Sequence, residues 1–383
     1  MITILYITLL AVCTTASLLG MRALYKFVAN QRPQLPVPSE FPPVSVLKPL
    51  KGVDDALKGN LESLFVQEYP NFELLFGIEG NTDPAILVVE HLMAKYPNVN
   101  SRLVLHNGGR GFNPKVANLR AIVETGTHDI VVISDSNIAV PNDYLINMVR
   151  QLSQPNVELV TSLFVGKEET NLPALMENMH LNGPVLNSLG LYESLMKEVL
   201  VVGKSNMFRR SVFDKLGGLE SLAYVQAEDY FMGKMMKRAG YKVAFSHQLV
   251  TNVIRRNSFT GMLQRYLRWA IARSHMAPLL YPFELLINPL VLALAAPLFG
   301  MSIAWTLPWM LGLIILRDAT QWYWLRGTEK LGHVVVLSPI RELLLTLVWI
   351  CAPFSNIISW RGNRFHVGEG AHLFRKPSTS NGR

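Results

Sequence analysis

The chain has 383 residues, which is long enough for one large domain with additions or for two domains, and half of its residues are hydrophobic. The mean hydropathy of +0.23 is too apolar for an ordinary soluble enzyme and indicates membrane segments. A formal net charge of +8 is compatible with nucleic-acid binding, but much of the excess flanks apolar segments, so anionic lipid headgroups explain it better. Cys13 and Cys351 both fall in apolar segments, which argues against a disulfide framework or a cysteine zinc site.

The N-terminal stretch, residues 1–21, is uncharged, apolar and about one bilayer long at ~1.5 Å per helical residue. No cation precedes it, whereas Arg22, Lys26 and Arg32 follow it. Because a cleavable signal peptide carries its cations before the apolar run, we expect a retained membrane anchor. The positive-inside rule then places the following chain in the cytoplasm.

A Pro-rich linker is predicted at residues 22–42, and after it short apolar runs alternate with helical patterns up to residue 275. The predicted strands are residues 44–50, 72–80, 101–107 and 129–138, and the predicted helices between them are residues 54–69, 84–96 and 114–126. This alternation indicates βαβ units and a mostly parallel sheet, so we expect an α/β domain over residues 43–275.

Polar groups stand at or near the carboxyl ends of three predicted strands, at Lys48, Glu79 and Asp135. Ligands of open α/β sheets bind at this edge, so we expect a nucleotide site there. The chain has no Gly-rich P-loop and no G-x-G-x-x-G motif after a strand, which disfavours ordinary ATP-binding and dinucleotide-binding folds.

The motif "VVISDSN" sets Asp135 directly after an apolar strand, with Asn137 two residues on. Period-two geometry turns both side chains the same way, which suits a divalent cation beside a diphosphate. The same residue types also favour a plain turn, so both interpretations stay open.

The motif "AEDYF" offers Glu228 and Asp229 at the start of a predicted helix. Acids in this position complement the helix dipole, and they can equally supply a general base when two adjacent carboxyls have their pKa values pushed apart. In "NPKVANL", Lys115 lies on the first turn of a helix, where it can contact a phosphate or an acidic partner or simply be solvated.

The motif "RYLRW" places Arg265 and Arg268 three residues apart on one helix face, a spacing suited to gripping a diphosphate. Trp269 suits a platform for a sugar or a lipid. A juxtamembrane basic-aromatic belt has the same composition and needs no chemistry.

After "RYLRW" comes a predicted membrane region, residues 276–360. An apolar stretch over residues 283–324 is long enough for two crossings, with a break near "SIAWTLPWM". The next stretch, residues 342–360, is shorter and more polar, and the basic tail at residues 361–383 should be cytoplasmic. We therefore expect two crossings plus a re-entrant or interfacial helix.

Taken together, Asp135, the Glu228–Asp229 pair and "RYLRW" before an apolar tail resemble the D, D, D, (Q/R)xxRW pattern of membrane-bound family 2-like glycosyltransferases. The segments "SVLKPLKGVD", "YPNFELLFGIEGNTDPA", "NPKVANL", "AEDYFM" and "ISWRGNRF" resemble the ceramide glucosyltransferase family, glycosyltransferase family 21, and its bacterial relatives. The similarity covers about residues 44–275 and the tail motif "SWRGNR".

This resemblance implies a GT-A (Rossmann-like nucleotide-sugar) domain, an inverting reaction, a UDP-sugar donor and a membrane-lipid acceptor. Asp135 matches the aspartate expected to contact the UDP diphosphate and Mg²⁺ or Mn²⁺, and Asp229, beside Glu228, matches the expected catalytic base. The final motif is expected to hold the leaving UDP. The expected donor-binding set is Lys48, Glu79, Asp83, Lys115, Asp135, Asn137, Arg265, Arg268 and Trp269.

One departure from the family pattern concerns its first aspartate, which falls at Gly80 in "IEGNTDPA". Either Glu79 or Asp83 is expected to substitute for it. Arg265 also separates this chain from processive cellulose- and chitin-type synthases, which resemble the form with glutamine at that position.

Several functions stay open from the sequence. Glucose transfer to ceramide is the first, and transfer of N-acetylglucosamine to a hopanoid polyol such as bacteriohopanetetrol is the second. A processive polysaccharide synthase predicts more crossings and a glutamine at position 265, and a non-catalytic membrane scaffold predicts no need for Asp229. We expect a multi-pass protein of a bacterial inner membrane with its catalytic domain in the cytoplasm.

Overall fold

The computed structural model describes residues 1–29, 35–36, 40–54, 56–360 and 362–375. Parts of the predicted linker and of the basic tail, residue 361 and residues 376–383, therefore lie outside the described residues. The strands are β1 Val44–Leu50, β2 Phe72–Glu79, β3 Ser101–His106, β4 Ile130–Ser134, β5 Ile138–Ala139, β6 Val157–Thr161, β7 Phe164–Lys167, β8 Ser205–Arg209, β9 Lys242–Phe245, β10 Val250–Val253, β11 Ile357–Trp360, β12 Asn363–Val367 and β13 Leu373–Phe374. The α-helices are α1 Ile2–Ala29, α2 Leu57–Phe65, α3 Ala85–Lys95, α4 Pro114–Val123, α5 Tyr144–Leu152, α6 Leu172–His180, α7 Leu186–Met196, α8 Arg210–Lys215, α9 Glu228–Arg238, α10 Phe259–Met276, α11 Tyr281–Leu286, α12 Pro289–Ala295, α13 Ile303–Arg326 and α14 Leu331–Cys351.

The central sheet has seven strands in the order β3-β2-β1-β4-β8-β6-β9. The pairs β1–β2, β1–β4, β2–β3 and β6–β9 are parallel, and β8 runs antiparallel to both of its neighbours. The chain order reverses between β1 and β4, which is the place where open α/β sheets bind ligands. The prediction of an α/β fold with a mostly parallel sheet is confirmed.

Two apolar cores cover the two faces of this sheet. Strand β1 is buried along its whole length, and period-two alternation sends Val46 into one core and Leu47 into the other. Met232 and Met236 of α9 are buried in the second core, the one that contains Leu47. The methionines that follow the acidic pair are therefore packing residues.

Helix α1 extends to Ala29, so the start of the predicted linker is helical. It crosses α7 at two glycines: a Cβ on Gly20 would meet Asn187, and a Cβ on Gly190 would meet Ala23. Glycines permit such a close backbone approach between helices. The N-terminal helix is thus packed directly against the α/β domain.

Two helical segments, Ile2–Ala29 and Leu331–Phe354, are long and apolar enough to cross a membrane, by length and composition only, within the part of the chain that the structure describes. Residues 342–351 form the second half of α14 instead of a separate short helix, because the apolar pattern begins at Leu331. The break expected near "SIAWTLPWM" is present, with Ser302 capping α13. The number of crossings stays a prediction.

The chain after α14 returns to the α/β domain as an antiparallel sheet of β11, β12 and β13. Its inner face, including Phe365 and Val367, packs against Ala270 and Ile271 of α10. This C-terminal sheet, residues 357–374, therefore lies beside the helix that carries the "RYLRW" motif.

Candidate active site

Asp135 follows β4 at the sheet edge where the chain order reverses. Its backbone N–H donates to the Lys204 carbonyl at 3.0 Å, and its carboxylate accepts from Lys115 Nζ at 2.8 Å. Burial acts to raise the pKa of Asp135, but the nearby Lys115 and Lys204 ammoniums outweigh it and hold that pKa below its usual range. Asn137 lies in the same turn and donates to the Asn252 side chain at 3.0 Å.

Lys115 joins the sheet edge to the acidic pair. Its Nζ lies 2.8 Å from Asp135 Oδ1 and 2.8 Å from Glu228 Oε1. Asn113 caps the start of α4 by accepting from the backbone N–H of Lys115 and Val116, which fixes the residue at the helix start. Burial alone would lower the pKa of Lys115, but the two carboxylates raise it, so this lysine stays charged.

Glu228 and Asp229 are the first two residues of α9, after the cap residue Ala227. Glu228 is held from two sides, because Asn113 Nδ2 also donates to it at 3.1 Å. Asp229 is partly exposed, and its carboxylate lies against Gly203, where a Cβ would stand 2.9 Å from Oδ2.

The surroundings of Asp229 change its proton affinity. Burial, and then the Glu228 charge, raise the pKa of Asp229 to about 6, although Lys115 pulls in the opposite direction. A carboxyl of this kind is ionised at neutral pH and binds a proton more readily than an ordinary aspartate. The acidic pair thus divides into an ion-paired Glu228 and an Asp229 suited to accept a proton.

Lys204, just before β8, was not predicted from the sequence. Burial lowers the pKa of its ammonium, the Asp135 carboxylate opposes that shift, and the Arg265 guanidinium adds to it. The Lys204 ammonium therefore interacts electrostatically with the Asp135 carboxylate and with the Arg265 guanidinium of α10. It links the two halves of the candidate site electrostatically.

The three residues of the "RYLRW" motif face different partners. Arg265 forms an ion pair with Glu177, a fully buried carboxylate that also accepts from Asn257 Nδ2 at 2.6 Å. The Arg268 guanidinium lies 5.6 Å from the Trp360 ring centre in the C-terminal sheet.

Trp269 packs against His180 and Tyr266, with ring centres 6.0 and 6.1 Å away. Its ring is half-buried among these aromatic neighbours and the apolar cores. The indole therefore contributes packing between α10 and α6, in addition to any platform role.

Lys48 lies beneath the Asp135 turn. The side chain is 1% exposed, and its Nζ donates to Ser134 Oγ and the Ile138 carbonyl, both at 3.1 Å. Burial lowers the pKa of this lysine to about 7. This placement differs from the predicted direct contact with a donor, because the ammonium is enclosed and occupied by the turn that it supports.

The two candidates for the missing first aspartate are in different situations. Glu79 is exposed at the end of β2, beside Gly108. Asp83 instead accepts from the Gly52 backbone N–H with both oxygens, at 3.0 and 2.8 Å, which joins the ends of β1 and α3. Glu79 is therefore the better placed of the two to contact a ligand.

A divalent cation would have few protein ligands here. Among the described residues, no three His, Cys, Asp or Glu side chains are close enough together to hold a metal ion. Asp135 offers a carboxylate, but Lys115 already neutralises it. Mg²⁺ commonly binds through one or two carboxylates plus substrate phosphates, so this donor set fits a cation that arrives with a diphosphate.

The fold is that of the GT-A class of glycosyltransferases. A mannosyltransferase of Pyrobaculum calidifontis, solved with GDP-Man and Mn2+, has a TM-score of 0.51 to this chain at 17% identity, over 92% of this chain and 99% of that one. That similarity concerns the fold alone.

The family follows from the sequence match. The model of glycosyl transferase family 21 matches residues 4–373, so the chain belongs to this family. Ceramide glucosyltransferase 3 of Caenorhabditis elegans is 30% identical over 351 residues, covering 88% of this chain and 75% of the relative. Ceramide glucosyltransferase 1 of the same organism is 28% identical over 348 residues, covering 87% and 73%.

Proposed function

We propose that the chain moves a sugar from a UDP-sugar to the hydroxyl of a membrane lipid, with inversion at the sugar carbon. The observation that carries this proposal is the position of Asp229, whose raised pKa suits a base, beside the Asp135–Lys115–Glu228 ion pairs at the ligand-binding edge of the sheet. The names of the relatives support ceramide and glucose as the first acceptor and sugar to test.

In the proposed reaction, the acceptor oxygen attacks the sugar carbon that carries the diphosphate. The new carbon–oxygen bond forms as the bond to the UDP oxygen breaks, and the bonding electron pair leaves with UDP. Asp229 accepts the proton of the acceptor hydroxyl. A general base of this kind contributes about 10²–10⁴-fold to the rate.

Negative charge develops on the departing diphosphate, and cations of the site can balance it. Lys204 and Arg265 interact electrostatically with each other, and Lys204 also interacts with Asp135. Arg268 lies on the same helix as Arg265. We assign these groups to stabilising the leaving UDP. When bound, Mg²⁺ or Mn²⁺ at Asp135 would neutralise part of the same charge.

The membrane side of the proposal rests on apolar surface. Besides the two long apolar helices, the described chain exposes Leu279, Leu280, Phe283 and Phe354 around α11 and the end of α14. An exposed apolar patch of this kind is typical of a lipid-facing surface. It supports a site at headgroup level, where a lipid can present its hydroxyl, and the cations that follow residue 21 favour the cytoplasmic side.

The test is direct incubation of the purified protein in lipid nanodiscs with UDP-glucose or UDP-N-acetylglucosamine, each with ceramide or bacteriohopanetetrol. Mass spectrometry of the lipids should show a monoglycosylated product for one combination and none for Asp229→Asn. A long polymer in place of a glycolipid would favour a polysaccharide synthase. Absence of any product with every combination, or unchanged turnover in Asp229→Asn, would overturn the proposal.

A further inference from the structure

The C-terminal sheet contacts the chain just before the acidic pair. The Leu373 backbone N–H donates to the Tyr224 carbonyl at 2.6 Å, and the Gln226 backbone N–H donates to the Ala371 carbonyl at 3.0 Å. Val225 and His372 form an antiparallel bridge between these two bonds. The segment that leads into Glu228 is therefore paired with the last described strand region of the chain.

The opposite side of this segment is held by the loop before Lys115. Asn113 Nδ2 donates to the Val225 carbonyl at 2.8 Å, and the Phe112 ring lies edge-on to Tyr224 at 5.6 Å. Residues 224–226 are thus fixed between that loop and the C-terminal sheet. Their position in turn sets where α9 begins, because only Ala227 separates them from Glu228.

The segment 224–226 and the C-terminal sheet both contact the "RYLRW" helix. Gln226 Nε2 donates to the Arg268 carbonyl at 3.2 Å, and the Trp360 ring of β11 lies 5.6 Å from the Arg268 guanidinium. A guanidinium over an indole face is attracted by the ring quadrupole. Arg265 has a different anchor in the buried Glu177, so each arginine of the motif has its own support.

We infer that Trp360 of the C-terminal sheet is a positioning residue for Arg268, and that the sheet supports the active site from outside it. The inference rests on the proposed function. The sheet holds the base-carrying start of α9 and the arginine side of the site at a fixed separation. Trp360 orients the guanidinium toward the diphosphate of the donor. Through this residue the "SWRGNR" motif would assist donor binding without contacting the donor itself.

The experiment compares Trp360→Ala with Trp360→Phe in the full-length protein. We expect Trp360→Ala to weaken UDP binding, measured by calorimetry, about 2- to 10-fold and to raise the KM for the donor by a similar factor. The KM for the acceptor should not change. Trp360→Phe keeps an aromatic face and should recover most of the affinity.

Phe374→Ala is the matched control, because Phe374 is an aromatic residue of the same sheet that stacks on His366 at 5.5 Å. It should leave UDP binding unchanged, and melting temperatures show whether each variant is folded. Unchanged UDP affinity in Trp360→Ala, or an equal loss in Phe374→Ala, would overturn the positioning role alone. Failure of the unmodified protein to bind UDP would instead overturn the proposed donor, and the inference with it.

Discussion

The carboxylate of Asp229 lies so close to Gly203 that a Cβ at position 203 would stand 2.9 Å from Oδ2. Real Cβ atoms almost never approach an oxygen that closely, so one of the two groups would have to move. Gly203 immediately precedes Lys204, and the loop before β8 therefore meets the start of α9 at the proposed base.

This contact predicts that Gly203→Ala displaces Asp229. We expect kcat to fall about tenfold or more, since a misplaced base loses most of its contribution, while the KM for the donor changes little. Steady-state kinetics with both substrates varied would separate the two constants. Gly59→Ala in α2 is the control, because a Cβ there meets nothing within 4 Å. It should leave kcat unchanged and stabilise the protein by about 0.4–1 kcal/mol.

The pKa of Asp229 predicts an acid limb in the pH–rate profile. A base with a pKa near 6 is protonated below that pH, so kcat/KM should fall as the pH drops through about 6. Glu228 is the second cause of the raised pKa, after burial. Glu228→Gln should therefore move the limb to lower pH, even if the variant is slower overall. A limb that stays in place would show that another group controls it.

Lys115 predicts a measurable effect on stability. Removing its charge in Lys115→Met leaves the Asp135 and Glu228 carboxylates without their shared cation. We expect a loss of about 1–3 kcal/mol at pH 7, seen as a lower melting temperature. Adding Asp135→Asn to Lys115→Met should restore part of the lost stability, because it removes one of the two uncompensated carboxylates. The exposed pair Lys95–Glu62 provides the comparison, since Lys95→Met should lower the melting temperature less than Lys115→Met does.

The predicted metal site can be tested through the donor. Asp135 supplies a single carboxylate, and no group of three potential metal ligands exists among the described residues. A divalent cation at Asp135 would therefore need further oxygen ligands from the diphosphate. We expect Mn²⁺ to tighten UDP binding about tenfold, which is about 1.4 kcal/mol, and this gain should disappear in Asp135→Asn. Calorimetry with Mn²⁺ or with EDTA measures the difference. Equal UDP affinity under both conditions in the unmodified protein would contradict a metal at Asp135.

Local patterns in the sequence were enough to predict much of the fold. The apolar runs of β1 to β4 alternate with helical segments, and this pattern does not depend on distant contacts. Local patterns also predicted Asp135 after β4 and the acids at the start of α9. Each of these residues is recognised from the few residues next to it in the sequence.

The parts that were missed depend on long-range pairing. Strand β8 enters the sheet antiparallel between β4 and β6, and only this insertion brings Gly203 and Lys204 to the site. Glu177 lies 88 positions before its partner Arg265. The position of the C-terminal sheet depends in the same way on a return from α14 to residues 224–226. Short periodic patterns in the sequence do not show which distant segments pair with one another.

Lys48 provides the last prediction, which concerns stability and pH. Its pKa in the folded protein is about 7, well below the ordinary value of 10.5, because the ammonium is buried. Between these two values the unfolded chain binds a proton that the folded chain does not, so stability should rise as the pH increases from about 7 to 10. Lys48→Met removes this titration and should flatten the rise in melting temperature. Lys215→Met, at an exposed site in α8, should keep it. If both variants retained the full rise, the buried ammonium beneath the Asp135 turn would not be its source.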